Sequence, residues 1–519
     1  MRLTARAHHV RGWRCAVRWT SSLAPLFFGF VAGCAGSAVS GGPVPATTAP
    51  EVQREMRGLW IATVGNIDWP SKRGLTPKQQ RAELIEILTK AAATGINTIV
   101  LQIRPAADAL YQSSLEPWAA WLTGTQGIDP GYDPLAFAIA ESHARGLQLH
   151  AWINPFRAGN TADTANLAST HVFNARRDLV RVYGSNLWMD PGAPEAQERS
   201  LRAVADIVTR YDIDGIHADD YFYPYQVAES PGKMLPFPDD STFAQYGAGA
   251  SRDDWRRGNI NAFVERMYAQ VHAIKPGVVV GISPFGIWRP GYPESVRGLD
   301  AYASIFADSR KWLQQGWVDY FAPQLYWAIG SPQQSFPALL DWWLGENVAH
   351  RHVWPGLAAY RVQNGSATAF TFEEIPAEIR IVRQRSSTPG EILYNTKSTL
   401  KGHDGVIAKT LAMDLYSSPA LVPAFTWLDS VPPPAPVLSV SGRELRITPA
   451  DGEQPRWWWV RAHLRAHWTW RGHRSAEWTT RLVFAAEGSV AVSGAADRIS
   501  VQAVDQAGNT SGATEWRKP

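Results

Sequence analysis

The sequence predicts a (β/α)₈ TIM barrel followed by a small C-terminal β-sandwich. Three observations carry that expectation. Between residues 58 and 396, short apolar runs alternate with helical patterns, the texture of repeated βα units around a parallel sheet. The longest polar insertions follow strand runs, where a barrel carries its active-site loops. A break at Pro432-Pro433-Pro434-Ala435-Pro436 then gives way to runs of period-two alternation. The 519 residues suit one large domain plus a smaller one, and an apolar fraction of 45% is enough for full cores.

The chain opens with Arg2, Arg6, Arg11, Arg14 and Arg18, no acid, and then an apolar run from Leu23 to Phe30 too short to span a membrane. It ends in Val31-Ala32-Gly33-Cys34, which resembles a bacterial lipobox. The resemblance implies a signal peptide over 1–33, cleavage after Gly33, and a mature protein anchored by acyl chains such as palmitate on Cys34. An ordinary secretory signal cut elsewhere is the alternative. Ala35, rather than Asp, at the next position points to the periplasmic side of the outer membrane in a Gram-negative cell. Residues 34–53, rich in Gly, Ala, Ser, Thr and Pro, read as a flexible tether. Only Cys15 and Cys34 are present, so the mature chain keeps no free thiol and needs no disulfide. Losing the five leader Arg takes the formal charge of +3 to about −2, which leaves no basic footprint for nucleic acid.

The barrel is expected over 54–430. Its strands read as Gly58 to Val64, Thr98 to Arg104, Leu147 to Asn154, Gly215 to Asp220, Val278 to Ser283, Tyr320 to Tyr326, Val353 to Ala358 and Ile392 to Thr396. Amphipathic helices are expected from Pro77 to Thr94 and from Glu195 to Tyr211, with Gly95 and Gly146 ending helices before the next strand. Insertions fall between Asn154 and Asp190 and between Tyr221 and Arg252. Residues 431–519 are expected to form the sandwich, whose close at Val504-Asp505-Gln506-Ala507-Gly508-Asn509-Thr510-Ser511 resembles the last hairpin of fibronectin-III-like domains. The proline break suggests a barrel that folds as a separate unit. Trp457-Trp458-Trp459, with Trp468 and Trp470, reads as sandwich core, glycan binding being the alternative.

Residues at the C-terminal ends of barrel strands are the candidates for chemistry. Here they are Trp60, Gln102, Arg104, Trp152, Asn154, His217, Asp219, Asp220, Tyr221, Ser283, Gln324, Tyr326, Tyr360 and Asn395. Aromatic faces with Asn, Gln, Arg and His suit a carbohydrate better than a phosphate or a lipid. No Gly-rich phosphate loop or zinc-protease motif occurs, so no metal or cofactor is expected. Alternation turns His217, Asp219 and Tyr221 to one side and Ala218 and Asp220 to the other, with Asp220 free to swing in as the strand ends. Asp219 and Asp220 are the expected catalytic acids, since glycoside hydrolysis needs a proton donor and a carboxylate. The plainer reading has them capping backbone amides or pairing with Arg104. Asp214, at the strand's start, reads as structural. The second carboxylate is left open among Asp68, Asp108, Glu116 and Asp308, the last equally a helix N-cap.

Several motifs in order then resemble glycosyl hydrolase-like family 10. They are Met56-Arg57-Gly58-Leu59-Trp60-Ile61-Ala62-Thr63-Val64, Gln102-Ile103-Arg104-Pro105, Glu116-Pro117-Trp118 with Leu122-Thr123-Gly124, Asp220-Tyr221-Phe222-Tyr223-Pro224, Ser283-Pro284-Phe285-Gly286-Ile287-Trp288 and Ala322-Pro323-Gln324-Leu325-Tyr326-Trp327. The resemblance implies a barrel glycosidase, with members acting on peptidoglycan glycan strands stripped of their peptides. Strand four also compares with the D-x-x-D-x-D-x-E of chitinase-like barrels. Asp214 and Asp219 match, but His217 replaces the second Asp and Tyr221 the acid Glu, which counts against substrate-assisted catalysis of the chitinase kind. Barrels acting on exopolysaccharide amino-sugar polymers, with a paired Asp, fit better. The alternatives are a non-catalytic glycan-binding lipoprotein and a glycosidase for another exopolysaccharide.

Overall fold

The structure, a computed structural model, describes residues 49–518 apart from 443, 451–453, 469–473 and 492–495. The leader, Cys34, most of the tether and Trp470 lie outside the described residues, as does the side chain of Trp468.

Eight parallel strands build the barrel: β1 (Met56–Ile61), β2 (Thr98–Arg104), β3 (Gln148–Ile153), β4 (Gly215–Ala218), β5 (Val279–Ile282), β6 (Tyr320–Phe321), β7 (His352–Val353 and Gly356–Ala358) and β8 (Gly390–Tyr394). Neighbours pair in chain order, and β8 closes on β1 through Met56↔Gly390 and Gly58↔Ile392. Pro355, which has no N–H for a ladder, splits β7. Its first part pairs with β6 and its second with β8, and Gly356 N donates to Pro323 O at 2.9 Å across the gap. The ring is therefore closed.

Burial on both faces explains why the strands read as nearly continuous apolar runs. Helices pack on the outer face. Pro77–Thr94 starts with a Thr76–Gln79 capping box and stops at Gly95, whose φ of 93° suits a residue without Cβ. Pro194–Arg210 is the second expected helix, one residue out of register at each end. Trp60, Trp152, Tyr320 and Trp354 fill the barrel interior with Met56, Val100, Val279 and Ile392, so the interior is core rather than pore.

The first insertion folds into a three-stranded antiparallel sheet (Arg157–Gly159, Val180–Tyr183 and Asn186–Met189). The second holds a short hairpin, Ala228–Ser230 with Lys233–Met234, and the helix Asp240–Tyr246.

The C-terminal domain is two antiparallel sheets. One joins β9 (Val437–Ser441), β10 (Glu444–Thr448) and β13 (Ser489–Ala491). The other joins β11 (Trp457–Trp468), β12 (Arg474–Phe484), β14 (Ala496–Val504) and β15 (Thr514–Arg517). Trp458 lies in the core between the sheets with Leu445, Ile447, Val483 and Val501. Trp457 and Trp459 pack outside that core, against Leu421 and Val52 of the barrel side. All three indoles are at most 3% exposed, so this run serves core and domain interface rather than a glycan-binding face. The interface is also polar. Arg456 meets Asp214 at 2.8 Å and Asp212 at 2.7 Å, and His143 stacks on Phe484 at 4.6 Å. Phe425 N donates to Ala507 O at 2.8 Å. The sandwich thus covers the end of the barrel where the strands begin.

Candidate active site

At the opposite end of the barrel, the strand C-termini surround a cavity of about 260 Å³. Trp60, Trp152, Asp219, Asp220, Tyr221, Tyr225, Ser283, Gln324, Tyr326 and Tyr394 line it. The β4 ladder stops at Ala218, which frees the next two residues from strict alternation, and both acids reach the same cavity.

The acids differ in their partners. Asp219 Oδ2 accepts from Asn154 Nδ2 at 2.9 Å, and its Oδ1 accepts from the Asp220 backbone N–H at 2.9 Å. Gln324 Nε2 approaches the same Oδ1 at 3.5 Å. Two amide donors suit an ionised carboxylate. Asp220 is buried, with the Asp219 carboxylate within side-chain hydrogen-bonding reach and one donor, the Tyr225 hydroxyl. Burial first and Asp219's charge second push Asp220 well above the usual carboxylate range, while the Tyr225 bond pulls the other way. Asp220 is therefore the member of the pair whose surroundings favour the protonated form.

Asn154, Gln102, Arg104 and His217 are fully buried and stand behind the cavity wall rather than on it. Gln102 Oε1 accepts from the N–H groups of Thr63 (3.0 Å) and Val64 (2.9 Å), which aims its Nε2 at Asn154 Oδ1, 2.6 Å away. Arg157 Nη2 donates to the same oxygen at 2.7 Å. With two donors on its oxygen, Asn154 has to present its amide N–H to Asp219. Arg104 does not pair with either acid. It grips Glu116 bidentately (2.7 and 2.5 Å) and donates to Asn154 O at 2.7 Å. His217 bonds Tyr320 and Ser283.

The four candidates for a second carboxylate stand elsewhere. Glu116 is spent on Arg104. Asp68 accepts from the N–H groups of Ala62 (2.9 Å) and Lys397 (2.8 Å), with burial holding it up to about 6. Asp108, also lifted to about 6 by burial, accepts from Ala106 N at 3.1 Å and Gln126 at 3.3 Å. Asp308 takes the N-cap position of the helix Ser309–Gln314 without a side-chain capping bond. Asn395 also turns out to be a cap, accepting from Ser398 N at 3.1 Å. Tyr360 is 39% exposed, with its ring 5.8 Å from both Tyr326 and Tyr394.

Reading strand ends missed Tyr225, Tyr394 and Arg157. Tyr394 was within reach, one residue before Asn395 on a strand with period two. Tyr225 and Arg157 lie in insertions, where no periodicity marks a side chain's direction.

A closed barrel with paired acids and an aromatic wall at its C-terminal mouth defines a barrel glycosidase. The chain belongs to the glycosyl hydrolase-like 10 family, whose model matches residues 55–372, and it is a glycoside hydrolase. It is 42% identical over 407 residues to glycosyl hydrolase YngK of Bacillus subtilis (strain 168), covering 76% of this chain and 78% of that one. It is 37% identical over 343 residues to glycosyl hydrolase DigH of Escherichia coli (strain K12), covering 62% of this chain and 77% of the relative. A solved structure with a similar fold is the PgaB (BpsB) glycoside hydrolase domain of Bordetella bronchiseptica, at 14% identity and a TM-score of 0.46, covering 70% of this chain and 98% of that one.

Proposed function

We propose that the protein cleaves an amino-sugar glycan of the cell envelope, with denuded peptidoglycan strands as its substrate, and that it does so as a lipoprotein held by Cys34. The observation that carries the reading is the placement of two adjoining acids on one cavity wall, Asp219 held by the Asn154 amide and Asp220 by the Tyr225 hydroxyl. Separated acid pairs act across the anomeric carbon at about 5–5.5 Å (retaining) or about 6.5–9.5 Å (inverting). Two acids in contact lie on one side of the bond, and no other carboxylate lines the cavity among the described residues.

The second partner then has to come from the substrate, and a 2-acetamido group supplies it. Asp220 gives its proton to the leaving glycosidic oxygen as the bond to the anomeric carbon breaks. The acetamido carbonyl oxygen forms the new bond to that carbon, and the ionised Asp219 accepts the acetamido N–H, balancing the charge that develops. Water then attacks the anomeric carbon and reopens the acetamido ring, while the Asp220 carboxylate takes a proton from that water. The missing chitinase Glu is no obstacle in this scheme, because Asp220 replaces it. A volume of about 260 Å³, just below the usual range of about 300–1,000 Å³ for ligand pockets, suits one sugar ring stacked on Trp60, Trp152 or Tyr326.

Purified, peptide-free glycan strands incubated with the protein should yield shorter products, separable by chromatography. De-N-acetylated strands should resist. Cleavage of both at equal rates refutes the acetamido step, and cleavage of neither refutes the substrate. Labelled fatty acid should enter the wild type and not Cys34→Ala; label in the variant would refute the anchor.

A further inference from the structure

Ser283 is on the cavity wall, and a chain of buried residues leads away from its hydroxyl. Ser283 Oγ lies 2.9 Å from His217 Nε2. His217 Nδ1 lies 2.9 Å from the Tyr320 hydroxyl, which lies 2.9 Å from His150 Nδ1. The remaining ring nitrogen, His150 Nε2, is buried without a partner.

One contact fixes the direction of every bond in this chain. Trp60 Nε1, which can only donate, points at His217 Nε2 at 3.3 Å. That nitrogen therefore carries a lone pair, and His217 is the neutral Nδ1–H tautomer. Ser283 then donates its hydroxyl hydrogen to His217 Nε2 at 2.9 Å, the nearer of its two acceptors, Ala218 O lying 3.4 Å away. His217 Nδ1–H donates to Tyr320, and Tyr320 donates to His150 Nδ1, which leaves the proton of His150 on Nε2. Burial holds both imidazoles neutral, His150 down to about 4 and His217 well below its usual value.

The backbone makes room for this chain. A Cβ on Gly281 would sit 1.9 Å from the Tyr320 ring, and one on Gly215 would sit 2.8 Å from the His150 ring. Larger residues at either position would displace the relay.

A second polar group on the same wall is oriented in the same sense. Gln324 Nε2 donates to Ser283 O at 2.9 Å and approaches Asp219 Oδ1 at 3.5 Å, both acceptors, so its Oε1 is the end left for a ligand.

We propose that His217, Tyr320 and His150 are positioning residues that lock Ser283 Oγ as a hydrogen-bond acceptor, and that Ser283 with Gln324 Oε1 selects a sugar presenting a donor, a hydroxyl or amide N–H, at this wall. The inference rests on the glycosidase reading of the same cavity and goes beyond it in assigning a specificity wall outside the acid pair.

A site built to accept a donor discriminates against analogues lacking it, because its buried acceptors are then left unpaired. Long-range ¹⁵N–¹H spectra of the full chain, labelled at histidine, test the relay without any substrate. His217 should appear as the Nδ1–H tautomer and His150 as the Nε2–H tautomer, both unchanged between pH 5.5 and 8.5 (a range of about 3 units around the ordinary histidine value). An Nε2–H tautomer at His217, or titration of either ring in that range, overturns the proposal. Ser283→Ala should raise KM on glycan strands on the order of tenfold with kcat changed much less, the loss of one well-placed hydrogen bond. Ser283→Thr, which keeps the hydroxyl, should recover most of it. A fall in kcat at unchanged KM, or no rescue by Thr, overturns the selection. If the wild type leaves glycan strands intact, the substrate reading fails, while the spectra still decide the relay.

Discussion

The two ends of β4 carry three acids within seven residues, and they are in opposite states. At the strand's start, Asp214 is buried, which alone would raise its pKa, yet Arg456, His143 and the Leu149 N–H overcome burial and hold it well below the usual carboxylate range. At the strand's end, Asp220 is equally buried and receives one hydroxyl, so burial and the neighbouring Asp219 push its pKa well above the usual carboxylate range. Burial is common to both. The partners decide the state, and with it whether the acid stabilises the fold or is available for chemistry. A parallel barrel divides these duties between its two faces.

The comparison is broken most severely at the strand's end. Asp220→Asn keeps the volume and removes the proton, so kcat on glycan strands should fall by roughly 10²–10⁴-fold. Asp219→Asn should lose a similar factor by removing the charge that raises Asp220 and that, in the proposed scheme, receives the acetamido N–H. Thermal unfolding should move little in either case. Normal turnover by both variants would place the acids elsewhere, and a large drop in melting temperature with normal turnover per folded molecule would make them structural.

At the strand's start the expectation is reversed. Asp214→Ala leaves the nearly buried Arg456 with only the exposed Asp212, and breaking such a pair costs about 3 kcal/mol. Turnover per folded molecule should stay near wild type. The sign with pH follows from the lowered pKa. Asp214's stabilisation is present above its unfolded value of about 3.9 and is lost as pH falls through the folded value. Wild type and variant should therefore converge in strongly acidic urea titrations and differ fully at pH 7. A constant difference at every pH would mean that packing, not charge, sets the cost.

The same interface bears on the proline break, which suggested a separable barrel. Truncation near Asp429 would uncover Leu421 and Val52, now covered by Trp457 and Trp459, and would take Arg456 away from Asp214. The shortened chain should unfold at lower temperature than the intact protein. An unchanged melting temperature would show that the barrel carries its own stability.

The sequence made the barrel legible because strands covered on both faces need unbroken apolar runs, and β2 is found at its expected limits, Thr98–Arg104. Strand ends were less legible. The sixth strand was expected to reach Tyr326 but its ladder stops at Phe321, with Pro323 following and Pro355 interrupting its neighbour. Proline spacing could have warned of both. At the site, Asp219 and Asp220 were visible as acids ending a buried strand. Their difference was not, because it depends on Asn154, Gln102 and Arg157 on one side and Tyr225 on the other, brought together from distant positions. Gln102, Arg104, Asn154 and His217 were expected to bind substrate. They lie behind the wall instead, since a strand-end residue pointing inward is as readily core as surface.

The finest test of the contrast is Tyr225→Phe. Tyr225 donates its hydroxyl to Asp220 Oδ2, and that bond favours the ionised form. The tyrosine stays protonated itself, because burial and then Asp220's charge raise its own pKa. Removing the hydroxyl leaves the Asp220 carboxylate less stabilised, so Asp220 should hold its proton to higher pH. One hydrogen bond is worth about 0.5–1.5 kcal/mol, or up to about one pH unit. The acid needed for bond cleavage is the protonated form, so the alkaline limb of the kcat–pH profile should move upward by that amount. Because Tyr225 also lines the cavity, KM should rise independently, and kcat measured at saturating strands separates the two effects. A limb that moves downward would mean that Tyr225 supports the protonated acid. A limb that does not move would mean that another group supplies the proton, and the contrast between the two ends of β4 would then describe stability alone.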